Sequence, residues 1–319
     1  MNETNTTLPP TIYGYVRQVS ARHQIPLVLL SITVFLLSVV PLEIQRRIIN
    51  DAIQNRSVSA VVWLALAYFG FALLEGGVKL CLNIYRSRVS ELVVLDLRRR
   101  VAALPVEKKD RSAMAQGEGD GAEVSMMLSE VEPIGGFAGI SVSEPLLQAG
   151  ILVSVFGYLV YLEPLMALLC ALAFAPQLVF VPLMQRKINR RSGRRIETLR
   201  SVGGNVGADE SAGTDATAAQ HERIEHVFEL NLKIFRIKFT MYFLMNLTHH
   251  LGVATALGVG GYYVVQGQVD VGTVVAFVSG LGKVNDPWGD LVDWFREMTL
   301  VVTRYRLFAK AMESMSRRG

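Results

Sequence analysis

Charge is scarce in this chain of 319 residues: Asp, Glu, Lys and Arg make up 19% of it, against 51% hydrophobic residues. A soluble domain of this length normally carries more, so a water-exposed globule is a poor reading. Cysteine is rarer still. The only two, Cys81 and Cys170, both lie inside apolar runs. They are expected to be packing residues, with no disulfide and no metal site. The net charge is only +4. Its basic residues are spread along the chain rather than gathered in one patch with aromatics, so no nucleic acid is expected as a partner. Also missing is any G-x-x-x-x-G-K-[ST] loop. In the nearest approach, "SGLGKVND", Phe277 stands where the first Gly must be and Val284 where the hydroxyl must be. A phosphate cradle further needs that loop between a strand and a helix, and these residues fall in an apolar run. The chain is therefore not expected to be an enzyme, and no cofactor is expected within it. Residues 1–24 are polar, without the short apolar core and small-residue cleavage site of a cleaved signal peptide.

What the sequence does have is long apolar runs. Six are read, at Ile25–Ile44, Ala60–Ile84, Gly139–Tyr161, Leu165–Met184, Phe239–Val265 and Val271–Leu291. A bilayer crossing takes about 20 residues. Lipid offers the backbone no hydrogen-bond partners, so each run should be a helix. The expected fold is an all-α membrane protein with six long transmembrane helices and cytosolic extensions. The connections alternate short and long. Basic residues crowd the long ones, Arg86, Arg88, Arg98, Arg99, Arg100, Lys108, Lys109 and Arg111 in the first and Arg186, Lys187, Arg190, Arg191, Arg194, Arg195 and Arg200 in the second. The positive-inside rule then puts both long loops and both termini in the cytosol, with the protein in the plasma (inner) membrane. Arg46, Arg47 and Arg56 fall on the outer side and count against this orientation. The expected division is a cytosolic N-terminal segment at 1–24, a six-helix region at 25–312 with cytosolic hairpins at about 85–138 and 185–238, and a tail at 313–319.

The long loops keep helical periodicity. Val89, Leu92, Val93, Leu97 and Val101 recur at three-to-four spacing, as do Ile224, Val227, Phe228, Leu232 and Phe235. The second, fourth and fifth spans should therefore run on as helices beyond the bilayer. Two stretches rich in small polar residues, 113–121 and 201–219, should interrupt them.

Charges within the spans are the candidate functional residues. Lys283, Asp286, Asp290, Asp293 and Glu297 fall within an arc of about 80° on a helix. An isolated charge at the bilayer centre costs at least about 2.5–3.5 kcal/mol. Lys283 and Asp286 are spaced to pair, and a water-filled cavity is their expected surrounding. Pro287 should break the local backbone ladder. Glu75, Lys79 and Asn83 share a face in the second span, with Gly76 and Gly77 beside them for close helix contact. Asn246, His249 and His250 share a side of the fifth, where the histidines are expected to be packing residues rather than metal ligands. Together Glu75, Lys79, Asn83, Asn246, His249, His250, Lys283, Asp286 and Asp290 are the candidates for a substrate pathway. Glu144 before Pro145 and Glu163 before Pro164 read as turn or cap residues.

This order of runs and loops resembles the transmembrane domain of type I ABC exporters over about residues 20–312. "LDLRRRVAALP" (95–105) is similar to the end of that family's second helix extension. "GAEVSMMLSEVEPI" (121–134) is similar to a further family pattern, with Gly121, Ser125, Glu130 and Ile134 in its places and Met126 where an Arg is usual. "GTVVAFVSGLGKVNDP" (272–287) is similar to the start of the sixth helix. The resemblance implies a homo- or heterodimer in the lipid bilayer, driven by ATP bound to a separate ATPase subunit. It also implies that the hairpin tips dock on that subunit, with Glu118, Asp120, Glu123, Ser125, Asp209, Glu210 and Asp215 as coupling candidates. The second tip departs from the family, being small-residue-rich with little apolar content. Two other readings stand beside this one: a proton-driven transporter of the same fold that needs no ATPase, and a non-transporting membrane scaffold or truncated remnant.

Overall fold

The computed structural model describes residues 8–53, 57–103, 120–206 and 214–318. Among them all regular structure is helical. In chain order come α1 (Ile12–Leu37), α2 (Val40–Arg47), a π-helical segment (Ile48–Ile53), α3 (Val58–Ala102), α4 (Asp120–Ile140), α5 (Ser143–Leu162), α6 (Pro164–Val206), α7 (Thr214–Val265) and α8 (Val271–Arg318). Four stretches are long and apolar enough to cross a bilayer: Ile12–Asp51, Val58–Ala102, Glu130–Leu162 and Pro164–Arg195. The chain is thus a helical membrane protein. The expected fifth and sixth spans lie in unbroken helices, α7 and α8, but their polar residues leave them outside this set of four.

The expected extensions past the bilayer are present as continuous helices in α3, α6 and α7. The second interruption is shorter than expected, because α6 runs to Val206 and α7 starts at Thr214. Pro287 does not interrupt α8, which is helical on both sides of it. Within the N-terminal segment, the helix that carries the first apolar run has already started. Helix α1 begins at Ile12, capped by Thr11, whose Oγ1 accepts from the Gly14 N–H at 3.2 Å. It kinks at Ser20, where φ and ψ leave the helical region and the hydroxyl bonds back to the Val16 carbonyl.

The chain divides into two compact units, residues 1–158 with 286–319, and residues 159–285. The first is built on a core of Tyr15 and Val16 from α1, Val93 and Leu97 from α3, Ile134 and Phe137 from α4, and Trp294 and Tyr305 from α8. On α3 the expected periodicity holds for Val89, Val93, Leu97 and Val101, all buried, while Leu92 turns outward. Tyr15 donates to Asp96 Oδ2 at 2.5 Å, and Arg100 Nε donates to the same oxygen at 2.7 Å. The Tyr305 hydroxyl donates to the Pro9 carbonyl at 2.7 Å. Burial pushes that phenol up to about 12, so it keeps its proton and its bond at neutral pH.

The second unit is the α6–α7 hairpin together with the end of α5 and the first part of α8, up to Asn285. On α7 the expected helical continuation is present, but the apolar residues that signalled it lie mostly outside the buried face. Ile224, Phe228, Leu232 and Phe235 are exposed, and the residues buried on α7 include Leu230, Ile234, Met241, Met245, Thr248 and Ala256. Both sets have helical spacing, so periodicity alone could not choose between them. Gln177 Nε2 donates to Thr248 Oγ1 at 2.5 Å, and Arg195 Nη1 to Asn231 Oδ1 at 3.2 Å, tying the two helices. Helix α7 ends in a tight turn in which Gly267, at φ 71°, donates to Val264 O and Gln268 donates to Tyr263 O. Glu163 sits at the α5–α6 junction, as read, with Pro164 opening α6.

Close helix contact occurs, but not at the glycines expected to make it. A Cβ on Gly76 or Gly77 would meet nothing. One on Gly139 would run into the Arg86 carbonyl and the Ser90 hydroxyl, and one on Gly135 into the Val94 side chain. These two are four apart, so α4 lays a glycine stripe against the backbone of α3. Gly139→Val is therefore expected to cost about 1–3 kcal/mol by overpacking. Gly76→Ala should show no loss beyond about 0.5 kcal/mol. Thermal unfolding of the detergent-extracted variants checks both.

Candidate functional site

The α3–α4 approach places Arg86 at the start of α5. Between α4 and α5 the chain turns at Ser141–Val142, and "SEP" opens the new helix, with Ser143 Oγ donating to the Gly139 carbonyl at 2.9 Å. Pro145 follows within the first turn, where its missing N–H costs nothing. Glu144 then faces Arg86 across a 2.5 Å ion pair from Nη1 to Oε2. Arg86 Nε donates to Ser143 Oγ at 2.8 Å. Both side chains are largely buried, at 10% and 17% exposure. Gln148, one turn on, donates to Glu144 Oε1 at 2.7 Å and to Asp290 Oδ2 of α8 at 3.0 Å. The result is a polar seam, Arg86–Glu144–Gln148–Asp290, joining α3, α5 and α8 inside the first unit. Arg86 Nη2 is buried and makes no hydrogen bond among the described residues.

Of the sequence candidates, Asp290 belongs to this seam, and it is exposed at the outer end. Its field is shaped by Glu144, Asp286 and Asp293 and by one cation from α3, Lys79. Glu75 is half-buried, and Lys79 and Asn83 are exposed. On α3 these three and Arg86 share an arc of about 80°. The face singled out from sequence therefore leads into the seam, although Arg86 itself was read only as a loop cation. Asp293 pairs with Arg296 on its own helix at 2.9 Å. Lys283 is half-buried and Asp286 exposed.

In the second unit His249 is half-buried, with its ring edge-on to Phe174 at 6.2 Å, while His250 and Asn246 are exposed. Among the described residues no three His, Cys, Asp or Glu side chains converge as a metal site would require. Cys170 is buried, its thiol 3.8 Å from the Gly252 carbonyl, but Cys81, also expected to pack, is exposed. The coupling candidates Glu118, Asp209 and Glu210 lie outside the described residues. So do the side chains of Asp120, Glu123, Ser125 and Asp215, whose backbone is helical.

Sequence reasoning missed two features. Glu144 is more than a cap, since it is the counter-ion of Arg86. "GGFAG" (135–139) was a legible G-x-x-x-G signal for the contact that puts them together. The second is a cluster built on Glu43. Glu43 holds both Arg46, at 2.8 and 2.9 Å, and Arg47, at 2.6 Å, and accepts from the Tyr158 hydroxyl at 2.7 Å. Arg46 and Arg47, two of the three cations that counted against the expected orientation, are thus both paired with one carboxylate.

Chemically, the seam can hold α3, α5 and α8 in register and present one carboxylate, Asp290, at its edge. No protein-family model matches the chain, and no curated protein is detectably similar to it.

Breaking a buried pair strands a charge and costs about 3–5 kcal/mol, whereas replacing both partners is far cheaper. Arg86→Met and Glu144→Leu are each expected to lower stability by roughly that much. The double variant should recover most of the loss. A double-mutant cycle on thermal or denaturant unfolding in detergent measures the coupling, and additive losses would mean that the pair is not a unit.

Proposed function

We propose that this chain is the membrane-spanning subunit of an ABC-type exporter. It works as a dimer and couples to a separate ATP-binding subunit. In this reading α7 and α8 cross the bilayer as well, giving six spans, with both termini in the cytosol of a plasma-membrane protein. The polar faces of α3 and α8 line the substrate pathway.

The observation that carries this reading is helix length. Helices α3, α6, α7 and α8 have 45, 43, 52 and 48 residues. At 1.5 Å per residue each is about 65–78 Å long, roughly twice the 30 Å hydrocarbon layer. Long rigid hairpins of this kind can carry a movement from a cytosolic motor to a cavity in the membrane. Two further features support it. The α6–α7 hairpin packs, with the first part of α8, into a compact unit distinct from the rest of the chain, as a hairpin that reaches toward a partner subunit would. The exposed Ile224, Phe228, Leu232 and Phe235 form an apolar face that a partner subunit could cover.

The test is purification of the full chain from its native membranes after mild crosslinking. An ATP-hydrolysing subunit should accompany it. Deletion of residues 207–217 should release that subunit while leaving the protein inserted. Absence of any ATPase from the crosslinked material, or its retention by the deletion variant, would overturn the coupling.

A further inference from the structure

Helix α6 carries a second organised surface that the transport reading does not use. Arg186, Lys187, Arg190, Arg191 and Arg194 line a groove of about 390 Å³. Among the described residues none of the five forms an ion pair with a carboxylate. Arg191 Nη1 spends one donor on the Lys233 carbonyl at 3.2 Å, which fixes the groove wall to α7. The remaining cations stand unneutralised directly beyond an apolar helix segment.

Their register on α6 is specific. Arg186, Arg190 and Arg194 share an arc of about 80° with Leu168, Leu172, Val179 and Leu183. Those four apolar residues are 51–64% exposed. One stripe of the helix therefore reads, from its apolar segment outward, as aliphatic surface followed by guanidinium groups. Arg186 and Arg190 are separated by about 6 Å along the axis. That is close to the depth of one headgroup layer, a total bilayer thickness of about 40–45 Å less about 30 Å of hydrocarbon, halved.

We infer that this stripe is a binding site for an anionic phospholipid of the surrounding bilayer. Acyl chains lie along Leu168–Leu183, and the phosphate is held in the groove by Arg186, Arg190 and Arg194. The guanidinium forks suit phosphate oxygens bidentately, and five cations along two turns, none paired with a carboxylate among the described residues, complement an anionic headgroup rather than a zwitterionic one. The inference requires only that α6 crosses the membrane, and it stands whether or not an ATPase is coupled.

Native mass spectrometry of the detergent-extracted full chain tests it, with phosphatidylglycerol and phosphatidylcholine added in turn. Phosphatidylglycerol should be retained in preference. The variant R186Q/R190Q/R194Q should weaken its binding roughly ten- to hundredfold. The control R88Q/R98Q, which removes cations from a separate groove on α3, should not. Equal retention of both lipids, unchanged binding by the triple variant, or an equal loss in the control would overturn the site. So would displacement of the lipid by an equal concentration of glycerol 3-phosphate, which would make it a site for soluble anions. Should the triple variant fail to insert, R190Q and a salt titration replace it. Phosphatidylglycerol binding must then fall with rising salt and fall further in R190Q, and indifference to both would sink the proposal.

Discussion

Two glycines let α3 and α4 touch backbone to backbone, and that contact decides where Arg86 ends up. With any larger residue at position 139, α4 would be pushed off the Arg86 carbonyl. The turn at Ser141–Val142 would then no longer deliver Glu144 to the guanidinium. The ion pair needs this accuracy because it is buried. Its Coulombic gain offsets the cost of removing two charges from water only when geometry is good and neighbouring lone pairs are filled. Ser143 accepts from Arg86 Nε and Gln148 donates to Glu144 Oε1, so each partner of the pair has a further hydrogen bond. Small residues come first in this order of causes, the pair second, and the placement of Asp290 at the edge of the seam last.

Much of the helical framework was legible in advance, because lipid leaves the backbone no alternative and the amphipathic period persists past the apolar runs. The face of α3 at Val89, Val93, Leu97 and Val101 could be read outright, since the spacing of four is clean. The face of α7 could not. Leu230, Ile234, Met241 and Met245 are buried, yet Ile224, Phe228, Leu232 and Phe235 have the same period and similar hydrophobicity. Periodicity counts apolar residues and does not say which stripe meets its neighbour within the same chain. The Arg86–Glu144 pair was hidden for another reason. The partners are 58 positions apart, and each has an adequate local explanation, one as a loop cation and the other as a helix-start acid. Only the G-x-x-x-G contact links them, and its meaning depends on which helix it faces.

With charge so scarce, its distribution is informative. Glu43 gathers Arg46 and Arg47 near one end of the first apolar stretch, and Asp96 gathers Tyr15 and Arg100 in the core of the first unit. Glu144 takes Arg86. These groups are closed: each charge is met by its opposite, and each serves packing. Two other places, among the described residues, are not closed in this way. On α8 the acids Asp286 and Asp290 are exposed, with Lys79 the cation acting on the second of them. On α6 the imbalance has the other sign, five cations and no carboxylate among the described residues.

Open charge on a membrane helix is tolerated only where something polar completes it. For the α6 cations, lying just past the apolar segment, the bilayer itself can supply the complement, since phosphate groups stand at that depth. The α8 acids have no such recourse, because anionic headgroups would repel them. They need water or a positively charged counterpart brought to them. That contrast argues that the two imbalances serve different ends: the basic groove anchors the helix to its lipid, and the acidic edge faces a wet space. A passage bounded by α3 and α8 would provide that space at the exposed end of the Arg86–Glu144–Gln148–Asp290 seam. It would also account for the one carboxylate there that is hydrogen-bonded by a neutral amide rather than neutralised by a guanidinium.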